Sequence, residues 1–444
     1  MPSLARKRRK WKRKVSDRRK ALEEVMKLRQ IDDIDVRVSL IQALIPVGLY
    51  EVNKQLQQDV LALAGKRYTH GKENVRWTRQ DGSVYLLDQK VPVKVPRVRN
   101  KIRNVEVLLP TYQKLQDPHR ENEQLFKKLL NGLSTHRYRE CAELAPEVFG
   151  ISASNLSKRF KHITAAKLER LQERRLDNHD FIAVFVDGKR YADDGIVVVL
   201  GITLEGNKIV LGIEQMATEN SRSTEQFFER LIERGLKYDE GLIFIVDGSK
   251  GIIKAIEKVF KIRGVIQRCH YHKIENVVSY LPKGIQMIWR AKLREAYRNT
   301  SYEAAKRALD KLRAELHDIN PSAERSLAEG LEETLSLHKL GLYDELGKSF
   351  VSTNCIESVM SQLGQYTDKV DRWRGGNHIQ RWAAAGLLEL EPRLRKVRGF
   401  RHLKLLKERL VQEVEKREKK QALECATSDE VEVGIHQSTP EIQR

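Results

Sequence analysis

Two unbroken apolar runs stand out along the chain. Phe181-Ile-Ala-Val-Phe-Val leads straight into Asp187-Gly, and Leu242-Ile-Phe-Ile-Val leads into Asp247-Gly. Runs of strand length without polar alternation suit strands buried on both faces of a covered sheet, and glycine lets the backbone turn where the run stops. Each run therefore predicts a buried strand tipped by a carboxylate. Between them, Ile196–Leu204 and Ile209–Ile213 flank Glu205-Gly-Asn-Lys208 and predict an antiparallel hairpin. Phe227, Phe228, Leu231 and Ile232 stripe a helix that Ser223 would cap, with Gln226 three residues on. Ile252, Ile253, Ile256, Val259 and Phe260 stripe a second helix, and Val265–Cys269 reads as a last short strand.

The element order is thus β-β-β-α-β-α-β, three antiparallel strands followed by two parallel ones with crossover helices. That is the order of the ribonuclease H-like fold, in which the first and fourth strands are neighbours. In that topology Asp187 and Asp247 face each other, at the strand ends where ligands of open α/β sheets usually bind. Asp-Gly is also a common turn pair, so each aspartate taken singly is more often punctuation than a ligand.

Around this block the patterning is mostly helical. Ile41, Leu44, Ile45 and Leu49 give helical spacing over residues 31–66. The period changes over 75–98, where Ser83–Leu87 and Val91–Val95 predict short strands, with Pro92 and Pro96 confining the second to an edge. Helical spacing returns over 112–172. There Tyr138–Pro146 leads through Gly150 to Ser152, a good N-cap, and Leu156, Phe160 and Ile163 repeat at core spacing. Ser154, Asn155, Ser157, Lys158 and Arg159 fall on the outward face. This is the layout of a helix-turn-helix whose second helix enters the major groove; an ordinary helical hairpin with a capped second helix has the same pattern. Residues 273–348, rich in Ala, Leu, Glu, Lys and Arg and broken at Pro282 and Pro321, read as a helical insertion. Ser352-Thr-Asn-Cys-Ile-Glu357 then starts a new helix, another runs through Trp382, and a charged helix follows from Arg401 toward Lys420.

The expected organisation is a basic arm (1–20), an N-terminal helical region with a small β patch (21–110) and a helix-turn-helix DNA-binding domain (111–172). A ribonuclease H-like catalytic domain of mixed α+β class, a five-stranded mixed sheet with flanking helices, occupies 173–272 and 349–400, split by the insertion. The last segment (401–444) is a charged helix and, from about Ala426, a polar tail expected to be disordered.

Charge sharpens this picture. Over 444 residues, Lys and Arg number 82 against 61 Asp and Glu, a net charge of +21. With ordinary apolar content, such an excess points to a polyanionic partner. The arm itself, Arg6-Lys-Arg-Arg-Lys10 and Lys12-Arg-Lys14 with Asp17 its one acid, suits phosphate contact without base readout, and would also pass for a nuclear localisation signal. No signal peptide and no run long enough to span a bilayer are evident. Four scattered cysteines (Cys141, Cys269, Cys355, Cys425) argue against a disulfide framework and suit a reducing cytoplasm.

Among the motifs, Glu357 is the candidate third carboxylate, although Asn354-x-x-Glu357 also fits a capping box. Cys269-His-Tyr-His272 has the look of half a zinc site, but no second ligand pair of suitable spacing is present, so structural zinc is not expected. Gly341-x5-Gly-Lys-Ser349 is one residue too long for a P-loop and follows helix rather than strand, so no ATP is implied. Trp373 and Trp382 are assigned to packing, with base stacking the lesser alternative.

Taken together, Asp187 and Asp247 on Val-Asp-Gly strand ends, the Cys-x2-His that follows, the helical insertion and the Thr-Asn-x-Ile-Glu357 segment resemble the Mutator-type insertion-sequence transposases. The resemblance covers most of the chain through Trp382. It implies a DDE transposase in which Asp187, Asp247 and Glu357 bind two Mg²⁺ (or Mn²⁺) ions, with Cys269 and His272 a signature beside the site. Hard all-oxygen sites suit those ions, and a metal pair suits in-line phosphoryl displacement. Lys189 and Arg190 are candidate phosphate contacts. The implied partner is double-stranded DNA, both element ends and target, bound by a homodimer or larger assembly, in a prokaryotic cytoplasm at the nucleoid and away from membrane. Two other functions fit the same residues: a domesticated, non-catalytic DNA-binding regulator, and a related ribonuclease H-like nuclease or resolvase that cuts without joining.

Overall fold

The computed structural model describes residues 34–68, 73–86, 89–116, 122–132, 153–191, 194–216, 221–370, 372–373 and 375–435. Two compact units divide between Ile163 and Thr164.

In the N-terminal unit a long helix, α1 (Ile34–Ala64), packs on a three-stranded antiparallel sheet of β1 (Asn74–Leu86), β2 (Gln89–Asn100) and β3 (Val105–Val107). Leu56, Val60 and Ala64 of the helix meet Val84, Val93, Val95 and Val98 in the core. The strands are longer than expected, and β2 lies between β1 and β3 rather than at an edge. The proline rule still holds locally. β3 covers only Val98–Asn100, so the outer side of β2 is unpaired along Pro92 and Pro96. Two short helices follow, α2 (Pro110–Lys114) and α3 (Asn122–Leu130).

Helix α4 (Ala153–Glu173) begins in this unit and continues into the next. Leu156 and Phe160 are buried, Phe160 stacking on Phe126 at 6.0 Å, whereas Ser154, Asn155, Ser157 and Lys158 are exposed and Arg159 half-exposed. The sequence-predicted face is therefore the outward one. The first helix and turn expected at 138–152 lie outside the described residues.

The second unit is built on a mixed five-stranded sheet in the order β6-β5-β4-β7-β8. β4 (Phe181–Tyr191), β5 (Asp194–Thr203) and β6 (Lys208–Met216) are antiparallel, while β7 (Leu242–Val246) and β8 (Gly264–Arg268) run parallel to β4. The predicted adjacency of the first and fourth strands is present. Helices α5 (Ser221–Glu233) and α6 (Lys250–Phe260) cover one face, where Phe228, Phe244 and Phe260 pack ring to ring at 4.6–6.1 Å. Helix α5 starts two residues before Ser223, which is thus inside the first turn and not the cap.

From α7 (His270–Ser279) the chain enters the helical segment: α8 (Lys283–Tyr297), α9 (Tyr302–Ile319), α10 (Pro321–Ala328), α11 (Leu331–Thr334), α12 (Ser336–Lys339) and α13 (Tyr343–Phe350). Pro282 and Pro321 stand at helix starts, where a missing N–H costs nothing. These helices enclose their own apolar cluster, with Trp289, Leu293, Leu309 and Leu316 at its centre. Helices α14 (Asn354–Thr367) and α15 (His378–Leu390) return to the sheet, and α16 (Leu403–Ile435) closes the chain. Helix α16 runs past Ala426, where disorder was expected. Ala422-Leu423-Glu424 are good helix formers, and extending an existing helix carries no nucleation cost.

Candidate active site

The strand register brings the first two acids together. β4 and β7 pair as Ala183↔Ile243, Val184↔Phe244 and Phe185↔Ile245, an offset of 60 residues. Continued two residues past the paired stretch, the same offset matches 187 with 247, so the two aspartates follow the paired segments of adjacent parallel strands. Asp187 is not a strand tip, however. β4 continues to Tyr191 against β5, and Asp187 stands where β4 parts from β7. The hairpin partner carries the strand on, which the apolar run alone did not show.

Glu357 reaches the same locality from α14. Burial first, then the negative charges of Asp247 and Glu357, push the Asp187 carboxyl up to about 6, opposed by the Gly188 N–H and by His272. Three acids thus act on one another across about 170 residues of sequence.

Each carboxylate also has a local partner. Asp187 Oδ1 accepts the Gly188 N–H and Asp247 Oδ1 the Ser249 N–H, both at 2.9 Å. The latter bond is the turn the bland reading of Asp-Gly anticipates. Gly248 between them has φ +105°, and a Cβ there would stand 2.5 Å from the Arg268 guanidinium, so this position requires glycine. For Glu357 the capping-box alternative does not form. Thr353 occupies the N-cap and Asn354 is already helical, which puts Ile356, not Glu357, three residues beyond the cap. The Glu357 carboxylate instead accepts the Thr353 hydroxyl at 2.5 Å.

Thr353 is fully buried and joins the Cys-x2-His segment to this acid. Its Oγ1 lies 3.4 Å from Cys269 Sγ and 3.3 Å from His272 Nδ1. A hydroxyl has one proton, and the shortest contact assigns it to Glu357, leaving Thr353 to accept from His272. The hydrogen bond with Cys269, outweighing burial, and the charges of Cys269, Asp247 and Glu357 raise His272 to about 9, so it is an imidazolium at neutral pH. Burial raises the Cys269 thiol, but its hydrogen bond with His272 prevails and the net shift is downward. The Cys269 N–H also bonds Val246 O at 2.8 Å, next to Asp247. The backbone of this segment thus braces the end of β7, while its side chains bear on the third acid. His270 faces elsewhere, stacked on Tyr297 at 4.1 Å and bonded to Thr334 O, and burial depresses it to about 3.

The other candidates are dispersed. Lys189 Nζ lies 3.9 Å from Asp368 and 5.2 Å from the Tyr191 ring centre, and Arg190 is exposed on β4. Trp373 contacts Tyr191, His378 and Trp382 at 5.3–6.1 Å, an aromatic cluster consistent with packing. Sequence reasoning missed Thr353, hidden inside an apparent helix cap, and Arg268. Arg268 is buried and bonds Gly248 O and Glu329 O beneath the Asp247 turn. A lone arginine ending an apolar strand was its one readable signal.

As a potential metal centre the three acids offer only hard oxygen donors, and their mutual repulsion is what a dication would relieve. Among the described residues no three acidic, histidine or cysteine side chains are grouped closely enough to form a finished cage. The donor chemistry fits a divalent ion, while the third ligand is held by Thr353.

Fold and site together define an α+β protein whose acidic centre is assembled from two neighbouring strands and a helix remote in sequence. Residues 17–390 match the family model of the Mutator family of transposases, and the chain belongs to that family. Similar proteins include the transposase for insertion sequence element IS905 of Lactococcus lactis, 28% identical over 340 residues covering 72% of this chain and 81% of the relative. The transposase for ISRM5 of Rhizobium meliloti is 25% identical over 339 residues, 72% and 82% of the two chains. The transposase for IS256 in transposon Tn4001 of Staphylococcus aureus is 26% identical over 259 residues, 54% and 62%. No helix among the described residues is long and apolar enough to cross a membrane.

Proposed function

We propose that this transposase is a DDE enzyme with a ribonuclease H-like catalytic domain, which binds the terminal inverted repeats of its element and catalyses DNA cleavage and strand transfer. The observation that carries the reading is the matched placement of Asp187 and Asp247 by the β4–β7 register, with Glu357 acting electrostatically on the same point. Half-buried Asp187 and Asp247, with a third acid from a separate helix, form a costly arrangement that core packing does not explain.

Asp187, Asp247 and Glu357 would hold Mg²⁺ or Mn²⁺, two ions in the expected form. When bound, the ions supply activation of the attacking oxygen and stabilisation of the leaving one. The chain's own groups do the rest. The raised affinity of Asp187 for protons sets the pH at which the centre becomes fully anionic. His272, held cationic by Cys269 and the acids, places a positive charge beside the centre. Thr353 fixes the Glu357 carboxylate. Lys189 and Arg190, on the same strand as Asp187, would meet the DNA backbone. The outward residues of α4, exposed Ser154, Asn155, Ser157 and Lys158 and half-exposed Arg159, would enter the major groove as the second helix of a helix-turn-helix. Pairing two ends requires at least two protomers.

The deciding experiment incubates the protein with DNA carrying the inverted repeats that flank its gene, with and without Mg²⁺ or Mn²⁺. Cleaved ends and joined products are expected, and both should vanish in Asp187→Asn, Asp247→Asn and Glu357→Gln while end binding survives. Binding without cutting in the unaltered protein would identify a regulator; cutting without joining would identify a nuclease.

A further inference from the structure

The N-terminal sheet carries a built feature that the proposed chemistry does not use. β1 and β2 pair at Arg76↔Val98 and again at Arg79↔Pro96, so Trp77 and Thr78 stand opposite Arg97 alone. A bulge of this kind twists the strand and re-aims its side chains. Trp77 is half exposed, with the guanidinium carbons of Arg97 and Arg99 at 4.4 and 4.5 Å from its ring centre.

Beside the bulge lies an open groove of about 470 Å³. Its walls carry Lys66, Arg67, Arg76, Arg79 and Arg97, and no acidic side chain lines it among the described residues. Arg97 is paired with Glu106, and Arg76 donates to Gly65 O at 2.9 Å. Arg67 and Arg79 are exposed and enter no ion pair among the described residues. Tyr68, at the rim, is 93% exposed and held at φ +66°, a left-handed conformation that bulky side chains rarely adopt.

Arg67 and Arg79, exposed in a concavity that no acidic side chain lines among the described residues, leave a positive charge there that a polyanion would meet. Tyr68 adds an exposed flat face, which a compact inorganic anion would not use but a nucleic-acid strand would, through its sugars and bases, while the Trp77 ring holds the Arg97 and Arg99 guanidiniums beside it. We propose that this groove is a second DNA-contacting site, gripping the phosphodiester backbone without reading sequence. It rests on the reading of DNA as substrate, but is independent of the acidic centre and of α4.

The test uses the full chain and a labelled duplex of unrelated sequence, titrated at several salt concentrations, with the double variant Arg67→Ala/Arg79→Ala and with Lys311→Ala, an exposed position on α9, as the reference. Two lost phosphate contacts should make the dependence of log affinity on log salt shallower by about 1.8, with affinity at low salt about tenfold weaker. The reference should keep both values, and circular dichroism should show all three proteins equally folded. Unchanged affinity and slope in the double variant overturn the groove while leaving the proposed function standing. So does a stronger preference for RNA of the same sequence that disappears with the two arginines. If the unaltered chain binds no duplex at all, the proposed function falls first and the groove with it.

Discussion

Asp187 is the residue at which stability and proposed chemistry oppose each other. Its carboxyl is raised to about 6 by burial and by its two acidic neighbours. A raised carboxyl contributes stability that is complete below its unfolded value near 4 and is lost as the pH climbs through about 6. At neutral pH the metal-free protein therefore carries an unfavourable charge. Asp187→Asn should raise its stability at pH 7–8 by on the order of 1–2 kcal/mol, an advantage that disappears near pH 4, while abolishing cleavage. Urea denaturation at the two pH values measures this, and equal stability of variant and parent at both would refute it. Thr353 allows a cleaner separation of roles. Valine has the same shape without the hydroxyl, so Thr353→Val should lower cleavage about 10–100-fold, the usual cost of losing a group that orients a metal ligand. Thr353→Ser should restore most of the loss. If serine and valine behaved alike, the hydroxyl would have no part in positioning Glu357. None of this was readable from Ser352-Thr-Asn, because a helix start and a buried bridge use the same residue types.

At the scale of elements, the parallel pair β4–β7 and the turns at its end decide what the site can be. The apolar runs announced both strands, and the Gly-Asn turn announced the hairpin, because complete burial and tight turning each leave a local mark in composition. The exact ends did not follow. β4 continues past Asp187 because β5 offers it a partner, and α5 begins before Ser223. The turn after β7 has one fixed requirement, the positive φ of Gly248 above the buried Arg268 guanidinium. Gly248→Ala should therefore destabilise the protein by more than about 1 kcal/mol and disturb Asp247 with it. A lowered urea midpoint with an unchanged slope would show it; an unchanged midpoint would mean that the turn relaxes without cost. Helix α14 shows the reverse dependence. Its start is one residue earlier than the Asn354 cap anticipates, and that single step removes Glu357 from a capping role.

For the whole molecule, net charge is the dominant property. The excess of 21 positive charges is spread over the chain, with the arm at residues 1–20 its densest part, so affinity for arbitrary DNA is expected to be shared among several surfaces. Deleting residues 1–20 should weaken binding to an unrelated duplex and flatten its salt dependence, without preventing cleavage of end-bearing DNA. Filter binding at two salt concentrations, beside a cleavage assay, would check both halves; loss of end cleavage would show that the arm does more than add charge. The helical segment between β8 and α14 has an apolar cluster of its own, so the elements carrying Asp247 and Glu357 are joined through a folded body rather than a slack loop.

Sequence by itself determined the strands and helices of the second unit in chain order and the outward face of α4, and its summed charge set the expectation of a polyanionic partner. Each of these depends on local periodicity or on summed charge, and both survive in one dimension. Tertiary structure alone decided that a 60-residue register offset matches Asp187 with Asp247, that Thr353 links the Cys-x2-His segment to Glu357, and that a bulge opens a basic groove on the N-terminal sheet. Those depend on which distant backbones pair and on where a buried proton goes, and no single stretch of chain encodes either.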